Sequence, residues 1–188
     1  KKQYANTVKD LSRGTISDSD ISFEISLLPE DKYENGFNTT DNALTFEHIE
    51  GYRRAAIKVS SLLFENTNWR RSVTSNSCAN NTEFQSSSNC FQLLRDNYFE
   101  RVHRRTLSSS ERTQMNQFFA EFEPLGTWPA LQKMSEVYLQ SPDFLFHLEI
   151  RGTDSGSDSI QIDAFAVANR LSYLAWNTMP DNRLFDFA

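Results

Sequence analysis

The chain has 188 residues and a formal charge of -6, with 38% hydrophobic residues, 23% charged residues and 15 phenylalanines. That length allows one large domain or two small ones with a real core, and the aromatic load excludes a disordered chain. Acidic residues sit beside every arginine cluster, so no basic stripe recruits nucleic acid, and no apolar run nears the roughly 18 residues of a membrane span.

Tyr4, Val8 and Leu11 stand at helical spacing within residues 3–12, and Gly14 closes that helix. Ile21, Phe23, Ile25 and Leu27 then alternate with Ser22, Glu24 and Ser26, the two-residue period of a short strand. Pro29 stops the run, and Asn35-Gly36 is a turn signal. A long helix is expected from Asp41 to Phe64, with Leu44, His48, Tyr52, Ala55, Val59 and Leu62 to Phe64 on its apolar stripe. Residues 65–89 read as a loop.

A helix over Cys90 to His103 follows and would bury Phe91, Leu94, Tyr98 and Val102. Ser108 and Glu111 form a capping box that opens a helix through Phe122, presenting Met115, Phe118, Phe119 and Phe122. Pro124 and Gly126 end it. Thr127 caps the next helix, with Pro129 in its first turn and Leu131, Met134, Val137 and Tyr138 along it. Asp143 to Ile150 is ambiguous between a helical turn and a strand. Residues 152–159 are small and polar, as in a linker. Gln161 to Asn177 is a strong helix whose Ile162, Phe165, Val167, Leu171, Leu174 and Trp176 imply central burial; Pro180 ends it and Asp181 caps a final segment.

The expected fold is mainly α, an irregular helical bundle with at most one small β element. Its segments are an N-terminal helical part (1–64), a disulfide loop (65–89), a helical core (90–150), a linker (151–160) and a further helical region (161–188) that continues beyond this chain. Cys78 and Cys90 lie in a stretch of Asn and Ser that offers little apolar cover to free thiols. A disulfide between them would stabilise the fold by roughly 2–4 kcal/mol and imply an oxidising compartment, with buried free thiols as the alternative. Two cysteines without Cys-x-x-Cys exclude a cysteine-only zinc site and a redox dithiol.

Five segments, in order, resemble one family: YANTVKDL (Tyr4 to Leu11), LPEDKYENGF (Leu28 to Phe37), Cys90 followed by ERVHRRTLSSSE (Glu100 to Glu111), LQSPDFLFHLE (Leu139 to Glu149) and ANRLSYLAWNTMPDNRL (Ala168 to Leu184). They are similar to the planctomycete-type family of large secreted proteins whose domains travel with c-type cytochrome modules. His103 stands where that family usually has an aromatic residue, and Thr106 where it usually has Pro. The resemblance implies a periplasmic or extracellular helical protein of a redox system, and haem c in a downstream part. This chain has no Cys-x-x-Cys-His sequence, so none is attached covalently here.

If haem is near, His147 within FLFHLE is the first axial candidate, because aromatic neighbours would wall a porphyrin, and Met179 is the competing one. Core packing is the plain alternative for both, and equally for His48 and His103. Arg101, Arg104 and Arg105 could clamp a propionate or a substrate carboxylate, or instead complement a helix C-terminus and pair with Glu100 and Glu111. Glu30, Asp31 and Glu34, and further on Asp154 and Asp158, lack the regular spacing of a calcium loop, and no metal site is assigned. Trp69, Trp128 and Trp176 sit beside expected helix cores, so packing accounts for them better than a sugar platform does.

The leading expectation is the N-terminal scaffold portion of a larger exported haem c-associated protein in electron transfer or oxidative chemistry. Its partner would be the remainder of its own polypeptide or a cytochrome module. A cell-surface interaction subunit of an assembly and a secreted polysaccharide-acting enzyme are the alternatives. No catalytic residue is assigned, and whether the chain is itself an enzyme stays open.

Overall fold

A computed structural model describes residues 1–30, 33–34, 37–38, 45–147 and 162–188. Helix α1 (Lys2–Leu11) buries Tyr4, Thr7, Val8 and Leu11 on one side. The run expected as a strand is instead helix α2 (Asp18–Ser26). Ile21 and Leu28 are buried and Ile25 is packed beside them, an i, i+4, i+7 set, while Phe23 is 65% exposed. Asp20 completes the cap by accepting from the Ser17 N–H at 2.7 Å. Over so few residues the helical period and its cap win over the alternation.

Tyr33–Glu34 (β1) and Phe37–Asn38 (β2) pair antiparallel, with Tyr33 opposite Asn38 and Glu34 opposite Phe37. The Asn35-Gly36 turn, Leu44 and the expected start at Asp41 lie outside the described residues. Helix α3 (Phe46–Glu65) is opened by Thr45, whose hydroxyl lies 2.8 Å from His48 Nδ1. His48 therefore serves the cap rather than the apolar stripe. Further along, Ala55, Ala56, Val59 and Leu63 are buried where α3 packs on α9 (Thr127–Tyr138). Ser60 and Ser135 hydroxyls meet at 2.8 Å between them, and the Tyr98 hydroxyl joins Ser135 at 2.6 Å. This buried chain of hydroxyls satisfies each member.

The loop expected over residues 65–89 contains two short helices, α4 (Thr67–Val73) and α5 (Asn76–Asn80). The Asn and Ser that read as loop residues act as caps: Asn66 accepts from Trp69 N at 3.1 Å and Ser75 from Cys78 N at 3.2 Å. Trp69 is fully buried, edge-on to Phe64 and Tyr98, and donates from Nε1 to the Leu11 carbonyl at 3.0 Å. Cys78 and Cys90 form a disulfide.

Helix α6 (Asn89–Leu94), a π-helical turn (Arg95–Phe99) and α7 (Glu100–His103) realise the next expected helix, burying Phe91, Leu94, Tyr98 and Val102. Helix α8 (Ser109–Phe122) starts at the Ser108–Glu111 capping box. Thr127 does not cap α9; Gly126, at φ 88°, is the capping residue, and the Thr127 hydroxyl accepts from Phe84 N at 3.2 Å. Helix α10 (Pro142–Leu145) resolves the ambiguous segment as a helical turn, although residues 148–161, including the expected linker, lie outside the described residues.

Helix α11 (Ala164–Trp176) is not centrally buried. Its inward side is small or polar, with Ala166, Ala168, Ser172 and Tyr173 buried. Val167, Leu171, Leu174 and Trp176 are 42%, 52%, 84% and 67% exposed. Helix α12 (Asn182–Phe187) follows, with Asp181 accepting from Leu184 N at 2.8 Å. The whole is a mainly α irregular bundle. Among the described residues no helix is long and apolar enough to cross a membrane.

Candidate functional site

A cleft of about 830 Å³ lies between the end of α1, the π turn with α7, and the α11–α12 connection. Its floor includes Leu11, Ile16 and Met179, each only 4% exposed. Asn177 ends α11 in the left-handed conformation (φ 55°) and turns the chain into the cleft wall. That turn is tethered on both sides. Asn6 donates to the Asn177 carbonyl at 3.2 Å, Thr178 donates to the Asp10 carboxylate, and Arg101 donates to the Pro180 and Asp181 carbonyls. Arg101 also lies over the Phe185 ring at 4.6 Å, which seats α12.

Two guanidinium groups border this cleft. Arg13 donates to the Ser72 and Asn97 carbonyls, and Arg101 to the two carbonyls of the turn. Among the described residues neither forms a direct ion pair with a carboxylate. Burial, followed by the neighbouring Arg13 charge, lowers the pKa of Arg101 to about 10. Trp176 borders the same cleft and has no hydrogen bond or ring contact among the described residues.

His147 lies elsewhere, against the Tyr173 ring at 4.2 Å, and burial followed by the Arg104 charge lowers its pKa to about 4. It borders a cavity of about 420 Å³ with Tyr4, Phe144 and Tyr173, where the buried Tyr4 hydroxyl has no partner among the described residues. Arg104 is buried there. It donates to the carbonyls of Phe144 at 2.8 Å, Asp143 at 2.6 Å and Phe146 at 2.6 Å. Arg105 holds Glu111 with two bonds, at 2.6 and 2.9 Å. His103 packs on Tyr138, shares a 2.7 Å bond with the Phe99 carbonyl, and has its pKa lowered mainly by burial.

The candidate haem contacts do not assemble around one site. Met179 and Arg101 share the large cleft, whereas His147 borders other cavities. Arg104 and Arg105 are engaged by carbonyls and by Glu111. Of the acidic cluster, Glu30 pairs with Lys1, Glu34 lies in β1, and Asp31, Asp154 and Asp158 lie outside the described residues. Among the described residues no three His, Cys, Asp or Glu side chains converge as a metal site. Sequence reasoning passed over Arg13 and assigned Trp176 to core packing, whereas Trp176 is 67% exposed at the cleft. Trp176 is nearly half a turn from the Val167–Leu171–Leu174 side, and that offset was the available signal.

No curated protein and no solved structure matches the chain significantly. Residues 1–65, which include the first two family-like segments, match the family model described as PSD3, a protein of unknown function (DUF1587), so the chain carries a domain of unknown function in that part.

Proposed function

We propose that this chain is a helical scaffold that docks a c-type cytochrome module, in its own polypeptide or on another chain, within an exported redox protein. Haem belongs to the module, and this chain supplies the surface that seats it. The outward stripe of α11 carries the reading: Val167, Leu171 and Leu174 follow the i, i+4, i+7 spacing of a packing face, yet point away from the bundle. Phe187 on α12 is 84% exposed as well. Apolar residues repeated on one side of an anchored helix form a surface for another protein element. The cytochrome identity of the partner rests on the five family-like segments, and the periplasmic or extracellular setting on the Cys78–Cys90 disulfide.

The test is to isolate the protein from its native cells without denaturant and follow haem absorbance against this chain in sedimentation. Haem should travel with the chain, and Leu171→Glu with Leu174→Glu should separate them. A complex that contains no haem, or only further copies of the chain, would refute the cytochrome reading. So would a double variant that stays haem-associated.

A further inference from the structure

We propose that the cleft between α1, α7 and the α11–α12 turn binds a small ring-bearing carboxylate, clamped by Arg13 and Arg101 and stacked on Trp176. Its volume, about 830 Å³, is in the range that encloses a small organic molecule. Its floor is apolar through Leu11, Ile16 and Met179. Trp176 stands at the edge with 67% of its surface exposed, although its helical phase belongs to the inward side of α11. An indole held beside a cleft without any partner of its own offers a flat surface to a ring.

The charge of the ligand follows from which polar groups remain available. Asp10 accepts from the Thr178 hydroxyl, and Asp181 accepts from Leu184 N, so both carboxylates of the lining are engaged in the frame. The Nη atoms of Arg13 and Arg101 reach backbone carbonyls. Their Nε–H groups, and the Nε1–H of Trp176, have no acceptor among the described residues. What is left is rich in donors, and neither guanidinium forms a direct ion pair among the described residues, while the charges of Asp10, Asp181 and Asp186 act on Arg101 from farther away. For Arg101, burial and the Arg13 charge together outweigh the pull of Asp181, Asp186 and Asp10, and a bound anion would offset both. A carboxylate accepts from such donors, and a ring attached to it would cover the indole and the apolar floor.

Trp176 also supplies the assay. Trp69 and Trp128 are 0% and 5% exposed, so acrylamide quenching of intrinsic fluorescence reports chiefly on Trp176. Cyclohexanecarboxylate and glucuronate, both transparent at the wavelengths used, separate apolar ring acids from sugar acids, and cyclohexylmethanol is the uncharged control. At least one acid should protect Trp176 saturably, with a Kd below about 1 mM, and the alcohol should not. Calorimetry should show affinity falling about tenfold in Arg101→Lys and in Trp176→Ala, the latter removing no hydrogen bond of the fold. The proposal is overturned if neither acid protects Trp176, if the alcohol protects it equally, or if Trp176→Ala binds as tightly as the parent. Leu171→Glu with Leu174→Glu should leave binding unchanged, so loss of the docking role and loss of the ligand site are separate outcomes.

Discussion

Replacing Arg104 tests how the last helices are held to the bundle. Its guanidinium donates to three carbonyls around α10, at 2.6 to 2.8 Å, and approaches the Tyr173 hydroxyl at 3.4 Å. It also lies 5.7 Å from the Tyr173 ring centroid, so one side chain ties α7, α10 and α11 together. Arg104→Ala leaves those carbonyls facing a partly wetted gap. A net loss of about 1 kcal/mol or more for each charge-assisted bond, with the vacated volume, gives about 3–5 kcal/mol. Against a typical total of about 5–15 kcal/mol, that is a large fraction.

The backbone provides an internal control. Arg104 ends α7 in the left-handed conformation, at φ 55°, a region that disfavours every residue with a Cβ by about 1 kcal/mol. Arg104→Gly loses the same bonds but is relieved of that strain, so it should be about 1 kcal/mol more stable than Arg104→Ala. Arg104→Lys keeps the charge but cannot reach three acceptors, and should fall between Ala and the parent. Urea unfolding followed by circular dichroism measures all four proteins, and hydrogen exchange should show α10 and α11 amides losing protection first. An Ala variant within about 1 kcal/mol of the parent, or one more stable than Gly, would refute this account.

Reducing the Cys78–Cys90 bond, or replacing both residues with Ala, frees a loop with a sequence separation of 12 and should lower stability by about 3 kcal/mol. A melting temperature unmoved by reductant would contradict it. Stability should also fall with pH in two stages. His147 titrates at about 4 in the fold against 6.5 ordinarily, so the unfolded chain takes the proton first and stability declines from pH 6.5 towards 4. Glu111 is held at about 2 rather than 4.5, first by its bonds to Arg105, so its contribution is lost as pH falls from 4.5 towards 2. Denaturant midpoints across pH should show a smaller upper stage in His147→Gln, where His103 supplies the rest, and a smaller lower stage in Glu111→Gln, where Glu50 remains; unchanged profiles would refute the assignment. Gly51→Ala places a Cβ 3.0 Å from Leu28 Cδ2 and 3.4 Å from the Leu27 carbonyl, and overpacking there should exceed the gain in helix propensity by about 1 kcal/mol. A stabilised variant would show that α2 yields.

Where period and cap agreed, the sequence was enough. Tyr4, Val8 and Leu11 marked the buried side of α1, and Ser108 with Glu111 marked the start of α8. The same spacing of three, in Ser17 and Asp20, was present ahead of α2 but was outweighed by a short alternation of apolar and polar residues. Asn66 and Ser75 misled for a related reason, because the residues that cap short helices are those that make loops. Within the cleft, Met179 and Arg101 could be singled out by residue type. Arg104 could not be placed that way, since its acceptors are backbone carbonyls, which leave no trace in a sequence.

Helix α11 shows why hydrophobicity alone gave the wrong side. A large apolar residue is expected to face inward because burying it is favourable by about 1.5–3 kcal/mol, yet three of them face out. The orientation is set instead by groups that must find specific partners. Tyr173 meets the Thr7 hydroxyl at 2.7 Å, Asn169 donates to the Arg104 carbonyl at 3.3 Å, and Asn6 holds the carbonyl of Asn177. Ala166, Ala168 and Ser172 on that side allow the helix to come close enough for these bonds to form. Turning α11 to bury Leu171 and Leu174 would strand the Tyr173 hydroxyl and carry Trp176 away from the cleft. A helix anchored by polar contacts on its small-residue side thus leaves both its apolar stripe and its terminal indole exposed.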